Sequence, residues 1–175
     1  IRVNAIASNA RHSGGLTLVG IVPETESQVS FIGPEAMRAG RYLDETDKNG
    51  ILIGEATADK FDTEVGKKLV LMSQDTADEM ASRAFRITGI YTAEMSSTEK
   101  QFAFVHMDTA RDMLKLPDGI SEVCIRLPDS ENLDRTASDL RASLGEGFAV
   151  HTWKEILSAI TAYLALFDGF MMLWY

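Results

Sequence analysis

The spacing of apolar and polar residues divides the chain into short strands over its first two thirds and one clear helix near its end. Residues 1–7 and 16–22 predict two strands, because apolar residues cluster on either side of a segment rich in Ser, Asn and Gly. Pro23 ends that pairing, since proline has no N–H to donate to a sheet. By the same criteria, further short strands are predicted at 51–53, 67–72, 85–91 and 102–106, with short helices at 54–62 and 107–116.

The connections between these strands carry their own signals. Asn49-Gly50 predicts a tight turn in which both residues tolerate a positive φ. The strands at 67–72 and 85–91 are predicted to pair antiparallel, with residues 73–84 forming a long polar excursion between them. A second polar loop is predicted at 93–100.

The last third of the chain contains the clearest helical period. Leu133, Ala137, Leu140 and Leu144 recur at +4, +3 and +4, which places one apolar stripe along a helix. Apolar segments at 122–127 and 148–153 flank that helix and predict two strands. Together they indicate a β-α-β unit, with a right-handed crossover if its strands are parallel.

Residues 156–175 are strongly apolar and contain one charged residue, Asp168. Because about 20 predominantly apolar residues cross the hydrocarbon core of a bilayer, we interpret this segment as the start of a transmembrane or membrane-proximal helix. The alternative is a buried helix of the domain core. The chain also starts in what reads as a strand, so we interpret it as a fragment of a membrane protein.

The negative net charge of the chain argues against some classes of binding partner. The chain has 26 acidic and 17 basic residues and a net charge of −9. It has no Lys/Arg cluster that could displace counterions from phosphates, which argues against nucleic acid as a partner. Its single cysteine, Cys124, can form no internal disulfide, and its position in the predicted strand 122–127 suggests a structural role.

Candidate catalytic and metal-binding residues do not form recognisable motifs. The acidic segment 44–50 resembles a calcium loop in composition, but its twelfth position is Ala56 instead of a bidentate carboxylate. His12, His106 and His151 have no metal-ligand spacing. We therefore expect no catalytic residue, metal or cofactor, and no enzymatic activity.

A partner-binding surface is the remaining candidate. Loops commonly carry binding residues, so the predicted excursion at 73–84 is our candidate contact, through Gln74, Asp75, Asp78, Glu79 and Met80. The polar loop at 93–100 is a second candidate. For both segments the alternative is a solvated loop without a partner.

Residues 50–61, followed by 65–71, resemble a stretch of the extracytoplasmic domain of FtsX-like, MacB-type ABC transporter permeases. The shared order is a strand, Gly54-Glu55, a helix, Val65-Gly66 and a second strand. Residues 85–91 are similar to the next strand of that pattern, and 104–110 to the short strand and helix after it. Lys67-Lys68 departs from the acidic residue usual after the glycine.

The resemblance implies a fold and a location. The fold would be α+β, with a porter-like lobe at 1–23 and 118–155 and a β-rich lobe with short helices inserted at 24–117. The domain would lie outside the cytoplasmic membrane, between the first two transmembrane helices of a permease. Among the family, the lipoprotein-releasing permeases look most similar, and in one of their two subunits the hairpin excursion binds a periplasmic carrier.

The implied function is to couple ATP hydrolysis by a separate ATP-binding subunit to substrate movement outside the membrane. The permease would contact that subunit, the membrane through flanking helices and, at this domain, a periplasmic carrier or adaptor protein. The alternative function is a ligand-sensing ectodomain of a membrane signalling protein, which predicts a pocket with convergent polar groups. A free-standing hydrolase is the third alternative, and it requires a nucleophile and base that the sequence does not offer.

Overall fold

A computed structural model of the chain describes residues 1–157. Residues 158–175 lie outside the described part, and with them lies nearly all of the membrane segment predicted at 156–175. Within residues 1–157, none of the helices combines the length and apolar character needed to cross a membrane.

The N-terminal hairpin matches the sequence prediction. Strand β1 (Arg2–Ser8) pairs antiparallel with β2 (Ser13–Ile21), from Arg2 opposite Val19 to Ser8 opposite Ser13. The connection is held by the Asn9 side chain, whose Oδ1 accepts the backbone N–H groups of Arg11 and His12.

The remaining elements of the first 125 residues alternate short strands with short helices. They are α1 (Pro23–Val29), a 3-10 turn (Pro34–Ala36), β3 (Met37–Gly40), β4 (Gly50–Gly54), α2 (Glu55–Lys60), β5 (Lys68–Gln74), β6 (Met80–Tyr91), α3 (Ser96–Gln101), β7 (Phe102–His106) and α4 (Met107–Leu114). This mixture of one sheet with several short helices confirms the predicted α+β class.

The sheet closes into a ring, because the long strand β6 pairs with β5 along one side and with β4 along the other. Its first half pairs antiparallel with β5, and its second half pairs parallel with β4 and antiparallel with β3. The order β6-β4-β7-β2-β1-β5 then returns to β6, so the described strands form a six-stranded barrel with β3 as an outer addition. A closed ring leaves no unpaired edge among those six strands.

The main core fills the barrel. Period-two alternation in β5 sends Leu69, Leu71 and Ser73 inward, and the same rule applies on the other strands. The large side chains that are fully excluded from solvent in this cluster are Leu18, Ile51, Ile53, Leu69, Leu71, Phe85, Ile87 and Val105. Helix α4 adds Ala110, Met113 and Leu114 to this core.

A second apolar cluster covers the outside of the barrel where β2, β7, β4 and β6 lie side by side. Ile32 and Leu43, from the connection between β2 and β4, pack there against Leu52, Tyr91 and Phe104. The Tyr91 hydroxyl donates to the carbonyl of Phe102 at 2.9 Å. This face is therefore covered by other segments of the described chain, whereas on the outer face of β1 the side chain of Ile6 is 48% exposed.

The Gly54-Glu55 motif has a packing reason. A Cβ on Gly54 would lie 2.3 Å from the carbonyl oxygen of Glu99, so only glycine permits this approach of β4 to α3. The buried Glu99 carboxylate accepts the N–H of Ala56 in the first turn of α2 at 3.1 Å and that of Ala93 at 2.8 Å. One side chain thus joins α2, α3 and the segment that follows β6.

The Asn49-Gly50 turn differs from its prediction, because neither residue adopts the left-handed conformation. Gly50 is instead the first residue of β4, where a Cβ would lie 2.7 Å from Thr88 Oγ1 and 2.8 Å from Asp47 Cβ. Close packing, and not turn geometry, therefore requires glycine at this position.

The predicted β-α-β unit is confirmed in its helix and wrong in its strands. Helix α5 covers Leu133–Leu144 with Ala137 buried. The segments 122–127 and 148–152 have no regular secondary structure, and a short helix α6 (Trp153–Ile156) begins inside the second predicted strand. Cys124 is exposed, so its interpretation as a packed strand residue is also wrong. Residues with high β-propensity form a strand where they can pack on a half-buried sheet surface. Residues 122–127 and 148–152 belong to no strand of the described structure.

The chain separates into two compact units, one spanning Ile1–Ile125 and one beginning at Arg126. These bounds differ from the predicted lobes at 1–23 with 118–155 and at 24–117. Within the second unit, Arg141 contacts both carboxylate oxygens of Glu155 at 2.8 and 2.9 Å, and Thr152 and Glu155 cap α6 reciprocally. The two-lobe division stays a prediction.

Candidate partner-docking site at the β5–β6 hairpin

The segment predicted as a long excursion is a regular hairpin. β5 and β6 stay in register from Lys68 opposite Arg86 to Gln74 opposite Met80. The turn between them therefore comprises residues 75–79, and the predicted loop at 73–84 is wrong in its length. Polar residues at alternate positions of a strand face solvent without breaking it, which is why the sequence resembles a loop.

Asp75 organises the turn. Its Oδ1 accepts the backbone N–H groups of Ala77 at 2.8 Å and Glu79 at 3.0 Å. Its own N–H donates to the carbonyl of Glu79 at 2.9 Å, and Asp78 turns the chain in the left-handed region at φ 59°. Since the Asp75 side chain is 1% exposed, it holds the turn and is not offered to a partner.

Lys115 fastens the turn to the end of α4. This residue has φ 53° and forms the left-handed cap of that helix. Its Nζ lies 2.8 Å from Asp75 Oδ2 and 2.6 Å from Glu79 Oε2. The hydrogen bond from the Lys115 ammonium lowers the pKa of Asp75, although burial of the Asp75 carboxyl acts in the opposite direction. Hydrogen bonds to the carboxylates of Asp75 and Glu79 raise the pKa of Lys115. The N–H of Thr76 also donates to the carbonyl of Leu114 at 3.2 Å.

The other four candidate residues remain at the surface of this fastened turn. Gln74, Asp78, Glu79 and Met80 are exposed, and Met80 is 67% exposed. Because the backbone beneath them is held at both strands and at α4, these side chains are presented by a rigid support. Their role as partner contacts stays a prediction.

The same face contains a groove that the sequence did not single out. It has a volume of about 510 Å³ and is lined by residues of β1, β2 and the β5–β6 hairpin, including Ile6, Met72 and Met80. Ile6 is 48% exposed and lies opposite Met72 in the pairing of β1 with β5. The alternation within each strand could place Ile6 and Met72 on the outer face. The pairing of β1 with β5, which brings these two residues together, could not be inferred from the local sequence.

The second candidate loop, 93–100, is partly helical. Its residues 96–100 belong to α3, and Glu99 is buried in the bonds described above. Met95, which precedes α3, is 65% exposed. The segment therefore contributes both to the core and to the surface.

The acidic segment 44–50 is engaged by the protein's own groups. Arg41 lies within 2.7 Å of both the Asp44 and Asp47 carboxylates, and His106 Nε2 lies 2.6 Å from the carbonyl of Asp44. Among residues 1–157, no group of three or more His, Cys, Asp or Glu side chains is arranged to hold a metal ion.

Comparison with known proteins identifies relatives of this fold. The family described as MacB-like periplasmic core domain matches residues 2–143. The lipoprotein-releasing system transmembrane proteins LolC of two Xylella fastidiosa strains, Temecula1 and 9a5c, are each 24% identical over 165 residues, covering 87% of this chain. The chain spans 38% of the length of these relatives.

A solved structure shares the fold. The extracellular domain of the noncanonical ABC-type transporter YknZ from Gram-positive bacteria superposes with a TM-score of 0.56 at 15% identity, covering 78% of this chain and 66% of that one. At this identity the likeness concerns the fold alone.

Proposed function

Because the chain belongs to the family of MacB-like periplasmic core domains, we propose that it is the part of an ABC transporter permease that acts outside the cytoplasmic membrane. In this proposal, a separate cytoplasmic subunit hydrolyses ATP, and the domain transmits the resulting movement to a substrate. The observation that carries the proposal is that the family match runs from β1 through the complete barrel to α5.

The construction of the barrel supports a mechanical role. Its six strands form a closed ring around a solvent-excluded core, and such interiors are close-packed and transmit strain. Asp75 and Lys115 add a hairpin turn that is fixed to α4. Because the turn is fixed, a force applied to it would be transmitted directly to the rest of the domain.

We further propose that flanking transmembrane helices anchor the domain in the inner membrane, on its periplasmic side. The segment 156–175 would begin one of these helices. The described residues supply no span themselves, so this location depends on the family to which the chain belongs.

The finer proposal concerns lipoprotein release. The curated relatives bear that function in their names, and the permease resembled here would pass lipoproteins to a periplasmic carrier. The carrier would contact Met80, Asp78, Glu79 and Gln74, with Met80 as the apolar centre and the carboxylates around it. Buried centres with polar surroundings are the usual anatomy of protein interfaces.

Binding of the purified chain to periplasmic lipoprotein carriers tests this contact. We expect the double substitution Asp78→Asn and Met80→Ala to weaken binding by about tenfold or more, as for an interface centre. Asn is chosen because residue 78 has φ 59°, which Asn tolerates better than Ala. Val123→Ala is the control, since Val123 is 70% exposed, close to the 67% of Met80, and lies outside the hairpin.

Equal binding by the double variant and the wild type would reject the hairpin as the docking point. Equal weakening by Val123→Ala would show that the loss is not specific to the hairpin.

A further inference from the structure

A second apolar surface lies away from the hairpin, between the β2–β3 connection and the start of α3. It is a cleft of about 730 Å³ lined by Phe31, Glu35, Ala36, Thr92, Ala93, Glu94, Met95 and Thr98. This volume lies in the range of ligand sites, roughly 300–1,000 Å³. A cleft of this size can therefore hold one short peptide segment, whereas the surface of a whole folded domain would extend beyond it.

The floor of the cleft is rigid. The Phe31 ring packs edge-on against Phe104 and at a tilt against Tyr91, with centroid distances of 6.2 and 6.0 Å. The N–H of Thr92 donates to the carbonyl of Ala36 at 3.0 Å, which ties the two walls together. The N–H of Ala93 donates to the buried Glu99 carboxylate.

Two large apolar side chains remain open to solvent on this floor. Phe31 is 49% exposed and Met95 is 65% exposed. Aromatic and methionine side chains are enriched in interfaces. Any occupant that covers both of them must bring apolar surface of its own.

The rim has one sign of charge. Glu35 and Glu94 are exposed, and within residues 1–157 no Lys or Arg is among those that line the cleft. Burial contributes most to the raised pKa of the half-buried Tyr42 hydroxyl, and the carboxylates of Glu26, Glu24 and the rim residue Glu35 raise this pKa further. Arg38, the basic residue after the 3-10 turn, is already paired with Glu55 at 3.4 Å.

We propose that this cleft binds a short peptide segment of another protein in which apolar residues alternate with Lys or Arg. Its apolar side chains cover Phe31 and Met95, and its ammonium or guanidinium groups lie beside Glu35 and Glu94. An anionic lipid surface is excluded as the occupant, because these carboxylates repel its headgroups. The proposal is independent of transport and of the hairpin contact.

Methyl NMR of the full chain with labelled methionines tests the proposal, using a synthetic Leu/Lys peptide as the probe. We expect the Met95 methyl signal to shift on titration, while the methyl of Met113, which is buried in the main core, stays unchanged as an internal control. A Leu/Glu peptide of the same length and pattern is expected to leave both signals unchanged. Binding is expected to weaken as salt rises, because the rim charges are exposed.

Substitutions separate charge from apolar contact. Glu35→Gln with Glu94→Gln is expected to weaken binding about tenfold, which corresponds to about 1.4 kcal/mol. Glu45→Gln with Glu64→Gln removes two exposed charges elsewhere and is expected to leave affinity within about twofold. Phe31→Ala is expected to weaken binding about tenfold, and its NMR spectrum reports independently whether the fold is kept.

The proposal is overturned if the Leu/Glu peptide binds as tightly as the Leu/Lys peptide, or if the Met95 signal stays unchanged on titration with the Leu/Lys peptide. It is equally overturned if the Glu35/Glu94 variant binds like the wild type, or if the control pair weakens binding to the same extent. None of these outcomes bears on carrier binding at the hairpin, which is measured with a different ligand.

Discussion

Replacing Gly54 by alanine tests the packing that underlies the Gly54-Glu55 motif. The new Cβ would lie 2.3 Å from the Glu99 carbonyl oxygen and 2.4 Å from the Glu99 Cα. Ordinary van der Waals contact begins at 3.4 Å, so β4 and α3 must separate by roughly 1 Å. Both atoms belong to backbone, and neither can move aside by changing a rotamer.

The size of the effect follows from what that separation disrupts. Overpacking alone costs about 1–3 kcal/mol. The displaced Glu99 also makes bonds with Thr57, Ala56 and Ala93, at 2.6, 3.1 and 2.8 Å. Weakening one or two of these adds about 1–3 kcal/mol. We therefore expect Gly54→Ala to lower the free energy of unfolding by roughly 2–6 kcal/mol.

Urea unfolding followed by far-ultraviolet circular dichroism measures this loss, and Gly15→Ala is the matched control. Gly15 also lies in a strand, but a Cβ there meets no atom within 4 Å. We expect that substitution to change the stability by less than about 1 kcal/mol, with alanine favoured. If Gly54→Ala unfolds at the same urea concentration as Gly15→Ala, the explanation of the motif by close packing is refuted.

Three further predictions concern polar groups. Tyr91→Phe is expected to lower the free energy of unfolding by about 1–2 kcal/mol in the same urea assay, because the partly buried Phe102 carbonyl loses the hydrogen bond from the Tyr91 hydroxyl; an unchanged midpoint would contradict this. The Lys115 hydrogen bond lowers the pKa of Asp75 below 3.8, so its stabilisation is complete above that pH and is lost as pH falls through the lowered pKa. Lys115→Met is therefore expected to flatten the acid limb of a stability-against-pH curve, and an unaltered acid limb would argue against the ion pair. Cys124, which is exposed, is expected to react with a maleimide in the folded protein at nearly the rate of a denatured control, whereas strong protection would show that it is packed.

Local patterns were sufficient for several elements. The hairpin of β1 and β2 follows from two apolar segments around a polar turn, and β5 follows from its alternating residues. Helix α5 follows from its leucine stripe. In each case the signal lies within the element, because the burial of one face repeats with the period of the strand or helix.

Contacts between distant segments could not be inferred in the same way. The barrel closes because β6 continues from Met80 to Tyr91 and changes neighbours along its length. The predicted pairing of 67–72 with 85–91 is wrong for most of its length, because β5 pairs with residues 80–86 and residues 86–91 pair with β4. The fastening of the hairpin by Lys115 was missed for the same reason, since 40 residues separate it from Asp75 in the chain.

The opposite error occurred at 122–127, where an apolar pattern predicted a strand that is absent. Val123 and Ile125 are 70% and 59% exposed in the described part of the chain. An apolar segment becomes a strand when a neighbouring strand and an apolar face accept it. An apolar pattern indicates that a segment can pair as a strand. Whether it does so depends on whether the rest of the fold places another strand next to it.

Substrate release and ATP hydrolysis, measured side by side in proteoliposomes, test the central claim most directly. The sample is the proposed permease that contains this chain, with the proposed ATP-binding subunit, compared with its Asp78→Asn/Met80→Ala variant. If the domain transmits movement and the hairpin docks the carrier, ATP hydrolysis stays within about twofold while lipoprotein release to the carrier falls about tenfold or more. Release at the wild-type rate by a folded variant would contradict the account.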